Sequence, residues 1–129
     1  MNMDERRQEI NRITEKIIGC VYKVSNTLGS GFLEKVYENA LALELRRAGF
    51  EVKQQHGMQV RYEGIVVGDF VADLLIEEKV LIELKVVKAL DDVHVAQCLN
   101  YLKATGQAIC LLVNFGKPKA EVRRMVHDF

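Results

Sequence analysis

Phe70-Val71-Ala72-Asp73-Leu74-Leu75-Ile76-Glu77-Glu78-Lys79-Val80-Leu81-Ile82-Glu83-Leu84-Lys85-Val86-Val87 decides how the chain is read. Two apolar runs flank three charged residues. The second run is too β-branched and too short for a comfortable helix, so it reads as a central strand, Val80 to Val87. Side chains alternate along a strand, which puts Glu83 and Lys85 on one face and Ile82, Leu84 and Val86 on the other. Two charges in an apolar strand are costly unless they are paired or bound to something. A structural ion pair or an edge strand is one reading, and a chemical site is the sharper one.

Asp73 favours the site. If Glu77, Glu78 and Lys79 form the connection, Ile76 pairs with Val80 and the same register carries Asp73 opposite Glu83. A two-residue turn would change the parity and send Asp73 to the other face. A three-residue hairpin usually wants glycine at its left-handed position, and none is present. Two ionised carboxylates on adjacent strands repel each other. A hard divalent cation removes that repulsion. Magnesium prefers oxygen ligands, keeps several waters and needs few carboxylates. Lys85 beside it would orient a water or stabilise charge on a phosphate.

Working outward, Ile10, Ile13, Ile17, Val21, Val24 and Leu28 recur at helical steps. They predict a first helix from Asp4 to Leu28, ended by Gly29-Ser30-Gly31. A second helix is expected from Leu33 to Ala48, stopped by Gly49. Phe50 to Gln54 and Met58 to Tyr62 read as two short strands split near His56-Gly57, and Ile65 to Ile76 continues the meander. Asp91 or Asp92 caps a third helix running to Thr105, with Gly106 ending it. Ala108 to Asn114 reads as a buried strand, and Pro118 as the opening of a final helix, Lys119 to His127. The order implies one α/β (mixed α+β) domain over residues 1–129. An N-terminal helix, 1–28, precedes a core, 31–127, whose mixed central sheet has helices on both faces.

The 129 residues suit a single domain, which at this size buries roughly two-thirds of its unfolded surface. Eighteen basic residues balance eighteen acidic ones, so the formal net charge is zero. That argues against strong, salt-sensitive gripping of nucleic acid by the domain as a whole, while leaving room for a local basic groove. Cys20, Cys98 and Cys110 are odd in number and set in apolar surroundings, so they read as free thiols in a reducing cytoplasm. The polar N-terminus has no signal-peptide core, and no apolar run approaches the roughly 18 residues of a membrane span. A cytoplasmic protein without membrane contact is the expectation.

Asp73, nine intervening residues and Glu83-Leu84-Lys85 resemble the PD-(D/E)xK nuclease signature, with Ala72 at the proline position. Gly31-Phe32-Leu33-Glu34-Lys35-Val36-Tyr37 resembles the motif that names the GxxExxY proteins, a branch of that group. The resemblance continues through Gln55, Tyr62, Asp69 to Asp73, Gln97 to Tyr101 and Asn114-Phe115-Gly116, nearly the whole chain. It implies a restriction-endonuclease-like core and a magnesium-dependent nuclease acting on DNA or RNA, with manganese as a substitute. The implied metal ligands are Glu34, Asp73, Glu83 and the carbonyl of Leu84. Asp73, Glu83, Lys85 and Gln97 carry the implied catalysis.

Among the supporting positions, Glu34 would otherwise read as a solvated carboxylate at a helix start. Gln97 and Tyr101 lie four apart on one helix face, with His94 a turn earlier. The resemblance makes Gln97 a support for the lysine or substrate, and the bland alternative is an amphipathic edge. Tyr37, Lys88, His94 and Tyr101 are candidate substrate contacts, with Tyr37 expected part-buried and its hydroxyl near the site or near a backbone partner, and Arg46, Arg47 and Lys53 weaker phosphate contacts. His94 and Cys98 have the spacing of a zinc pair but lack a second pair. The alternative to an active nuclease is a catalytically weak or inactive module of the same fold that binds nucleic acid or protein. A homodimer with the first helix at its interface is compatible with so small a domain.

Overall fold

The computed structural model describes residues 1–129. In chain order the elements are α1 (Met3–Leu28), α2 (Glu34–Arg47), β1 (Val52–Tyr62), β2 (Ile65–Ile76), β3 (Val80–Lys85), α3 (Asp92–Thr105), β4 (Ile109–Asn114) and β5 (Glu121–Val126). The strands form one sheet in the order β1-β2-β3-β4-β5. Only β3 and β4 are parallel, and α3 is the crossover between them. The other neighbours are antiparallel.

The apolar stripe of α1 packs with α2 on one sheet face, against Leu74, Ile76, Ile82, Leu84, Leu111 and Val113. That stripe is consumed inside the chain. The second core lies on the opposite face, where Cys98 and Leu102 of α3 meet Phe70, Ala72, Leu75, Leu81, Cys110 and Leu112. The mixed sheet with helices on both faces is therefore as the sequence implies. No helix is long and apolar enough to cross a membrane.

Two sequence expectations are corrected. The segment expected as a final helix, Lys119 to His127, holds β5 instead, paired along all of β4. Alternation explains it. Val122 packs on the α1 side, Arg124 donates to Asn11 of α1 at 2.7 Å, and Met125 enters the α3-side core. All six residues of β4 are buried, and without β5 one backbone edge of that strand would lack partners. The second correction concerns Phe50 to Gln54 and Met58 to Tyr62, which belong to one strand, β1.

That continuous strand contains an irregularity that matters for the site. Gln54 pairs with Leu74 and His56 with Ala72, but Gln55 and Asp73 are skipped. Gln55 has a left-handed backbone, φ 50°. On one side of this point Val52, Leu74 and Ile76 pack towards α1 and α2; on the other Met58, Phe70 and Ala72 pack towards α3. The ribbon changes face at Gln55 and Asp73.

Candidate active site

β2 and β3 pair through Ile76–Val80, Leu75–Leu81 and Leu74–Ile82, joined by the three residues Glu77, Glu78 and Lys79. An odd-length connection, or a bulge, is what a site reading of the sequence expects, and the connection has three residues while the β1–β2 ladder skips Asp73. The connection uses two successive left-handed glutamates, Glu77 at φ 53° and Glu78 at φ 57°, in place of a glycine. Glu51 secures it: the Glu51 amide donates to Glu77 Oε2 at 2.8 Å, and the Glu77 amide donates to the Glu51 carbonyl at 3.0 Å.

Beyond Leu74–Ile82 the ladder opens, and two carboxylates replace its backbone bonds. The Leu84 amide donates to Asp73 Oδ2 at 2.7 Å, and the Asp73 amide donates to Glu83 Oε1 at 3.4 Å. Burial pushes the Glu83 carboxyl up to about 8, with the Asp73 charge adding to the shift; the Asp73 amide and Lys85 oppose it. None of the ion pairs in the protein includes Glu83 or Lys85, so the bland reading as a structural salt bridge fails.

Glu83 and Lys85 line a cavity of about 250 Å³ together with Asp69, Gln97, Cys98 and Tyr101. The structure thus gathers four sequence-predicted residues from β3 and α3. Tyr101 stacks on Phe70 with centroids 3.6 Å apart, which fixes its ring at the wall. Glu34 is exposed at the start of α2. Its carboxyl is raised by partial loss of hydration and by the Asp73 charge, with Lys85 opposing, so it belongs to the same electrostatic neighbourhood.

Other predicted contacts are engaged elsewhere. Tyr37 is fully buried, stacked on Phe115, and its hydroxyl donates to the Gly29 carbonyl and accepts from the Phe32 amide. His94 closes the capping box of α3: its amide donates to Asp91 Oδ1, and its Nδ1 accepts from the Asp91 amide. Lys88 is exposed after β3. Arg46 is bound to Gln54 and Val52, Arg47 to Glu44 and Lys53 to Glu78. Asp69, a wall of the cavity, stood in the family resemblance without a role, and the buried Glu38 was given none; each reads locally as an ordinary surface carboxylate. The thiols are free as expected, with Cys98 and Cys110 buried.

The donor chemistry suits a hard cation: oxygen atoms, among them the half-buried Glu83 carboxyl, whose ionised form is disfavoured by desolvation and then by the Asp73 charge. The Leu84 N–H and C=O leave the strand on the same side, and its N–H points at Asp73, so its carbonyl faces the opening too. No three His, Cys, Asp or Glu side chains converge at ligand distance.

A family model described as the PD-(D/E)XK nuclease superfamily matches residues 11–125. A comparison with curated proteins gives no match. Among solved structures, an alkaline exonuclease (LHK-Exo) from Laribacter hongkongensis is similar with a TM-score of 0.44 and 16% identity, over 73% of this chain and 56% of that one. The present chain thus spans little more than half the length of that exonuclease.

Proposed function

We propose that this chain, which belongs to the PD-(D/E)XK nuclease superfamily, hydrolyses phosphodiester bonds of DNA or RNA with magnesium, for which manganese substitutes. Asp73, Glu83 and the Leu84 carbonyl hold the cation, with Glu34 joining through a water or by a small movement of α2. The observation that carries this reading is the strand opening, where Asp73 braces Leu84 at 2.7 Å and the half-buried Glu83 stands beside Lys85 at a shared cavity.

A bound divalent cation supplies positive charge to the phosphate oxygens and lowers the pKa of a bound water. The chain's own residues do the rest. Lys85 holds the attacking water or offsets the charge that develops on the phosphorus oxygens. Gln97 presents its amide across the cavity to Lys85 or to the substrate. Tyr101, braced by Phe70, offers its hydroxyl and ring edge at the wall. Asp69 at the cavity wall disfavours an unaccompanied polyanion, so the cation is also what makes the site hospitable to phosphate.

The test is cleavage of labelled single- and double-stranded DNA and RNA with magnesium, manganese or chelator. Lys85→Ala and Asp73→Asn are expected to lower turnover by about a hundredfold or more while the protein stays folded. Activity that survives both changes sinks the proposal. The net charge of zero and the absence of a three-side-chain ligand cluster favour a second reading, a module that binds without efficient cleavage. Calorimetry that detects no magnesium or manganese binding would select it.

A further inference from the structure

We infer that Gln55 is a positioning residue for this site: anchored on the buried Glu38, its amide sets the Asp73 carboxylate that braces Leu84. Glu38 is only 3% exposed, and a buried carboxylate is tolerated only when it is bonded. Its Oε1 accepts from Gln55 Nε2 at 2.6 Å, and its Oε2 accepts from Gln54 Nε2 at 2.8 Å and Lys35 Nζ at 2.9 Å. Gln55 Nε2 spends its second hydrogen on Asp73 Oδ1 at 3.2 Å. The other Asp73 oxygen takes the Leu84 amide. A single amide thereby ties α2, the face switch of β1 and the mouth of the strand opening to one carboxylate.

The backbone points the same way. Gln55 is neither glycine nor asparagine, yet it holds a left-handed conformation, and it does so where the β1–β2 ladder skips a pair. This places its side chain between Glu38 and Asp73. Nε2 is a donor only, so it orients Asp73 rather than ligating a cation. Loss of such an outer partner typically weakens metal affinity ten- to a hundredfold. The consequence for cation binding rests on the function proposed above; the orientation of Asp73 does not.

Gln55→Gly separates the two. It removes the amide and relieves the left-handed backbone, so the fold is retained. Gln55→Met keeps the length of the side chain and removes the donor without adding a charge. In ¹H–¹⁵N spectra of the cation-free protein, both variants are expected to shift the Leu84 amide, with Asp73→Asn as the reference for a disturbed bond. Mn²⁺ affinity by calorimetry is expected to fall about ten- to a hundredfold, while Gln55→Gly still unfolds in one cooperative transition, its melting temperature lowered by the lost bond to Glu38. A Leu84 resonance that stays in place, or one that moves while Mn²⁺ affinity keeps its wild-type value, overturns the inference. If Leu84 moves and the wild type itself binds no Mn²⁺, the positioning role stands and the cation reading of the site falls.

Discussion

Asp73 and Glu83 meet crosswise. The Asp73 amide donates to the Glu83 carboxylate at 3.4 Å, and the Asp73 carboxylate accepts from Leu84, the residue after Glu83, at 2.7 Å. Each acidic side chain thus occupies the other strand's backbone where regular β pairing stops. Two carboxylates are brought together by hydrogen bonds that satisfy them individually but leave their mutual repulsion in place. The Glu83 proton is the chain's own remedy, and a divalent cation is the alternative.

That arrangement fixes a pH dependence. The Glu83 carboxyl titrates near 8 in the folded protein, against an ordinary value of 4.5. Between these values the folded state holds a proton that the unfolded chain has released, so stability falls as pH rises. In chelator, unfolding free energy is expected to drop by about 1 kcal/mol for each pH unit between pH 6 and 8, and Glu83→Gln flattens this slope. Glu34 contributes weakly in the same direction. Denaturant titrations at several pH values check it; equal slopes in wild type and Glu83→Gln would refute it. Cation binding below pH 8 should release a proton.

The parity of the hairpin was legible because apolar alternation and the count of charged residues both constrain it. The turn chemistry was not, since the left-handed Glu77 and Glu78 rely on Glu51, twenty-six positions away from Glu77. β5 was misread as a helix because Val122 and Val126, four apart, fit a helical period as well as a strand's, and only the exposed edge of β4 decides between them. Gln55 was visible as a motif residue but its task was hidden. Its partners Glu38 and Asp73 come from two other elements. His94 was read as a face-mate of Gln97, and local capping claimed it first.

Asn114 and Gly116 shape the segment that follows Lys85. Asn114 is fully buried; its Oδ1 accepts from the Val87 and Gly116 amides, and its Nδ2 donates to the Val87 carbonyl and to Glu121. A Cβ on Gly116 would stand 2.2 Å from the Val87 carbonyl oxygen. Asn114→Ala leaves the half-buried Val87 and Gly116 backbone groups without their partner and is expected to cost about 1–3 kcal/mol. Gly116→Ala forces the two backbones apart at a cost of about 1–3 kcal/mol. Both should weaken substrate cleavage, because Val87 lies two residues beyond Lys85, where β3 ends. Urea denaturation reads the stability loss, and wild-type stability in Gly116→Ala would contradict the close approach.

Tyr37→Phe distinguishes a structural tyrosine from a substrate contact. The ring keeps its stack on Phe115, with centroids 4.7 Å apart, but the Gly29 carbonyl and Phe32 amide lose their partner. Stability should fall by about 1–2 kcal/mol with KM unchanged. Unaltered stability together with a raised KM would return Tyr37 to the substrate.

Glycine in the hairpin connection tests how that turn is held. Glu77 and Glu78 both carry the left-handed penalty, but their side chains differ in employment. Glu78 is exposed and pairs only with surface Lys53 and its surroundings, an interaction worth little in water. Glu77 holds the Glu51 amide. Glu78→Gly is therefore expected to stabilise the protein by about 0.5–1 kcal/mol. Glu77→Gly gains the same backbone relief but loses a hydrogen bond of similar worth, and ends near neutral. Neither alters the number of residues in the connection, so the Ile76–Val80 register and the Asp73–Leu84 bond persist. Thermal melts rank the two variants. The Leu84 amide resonance should match wild type in both, and a shift in either would show that the turn residues, and not their number alone, set the parity of the site.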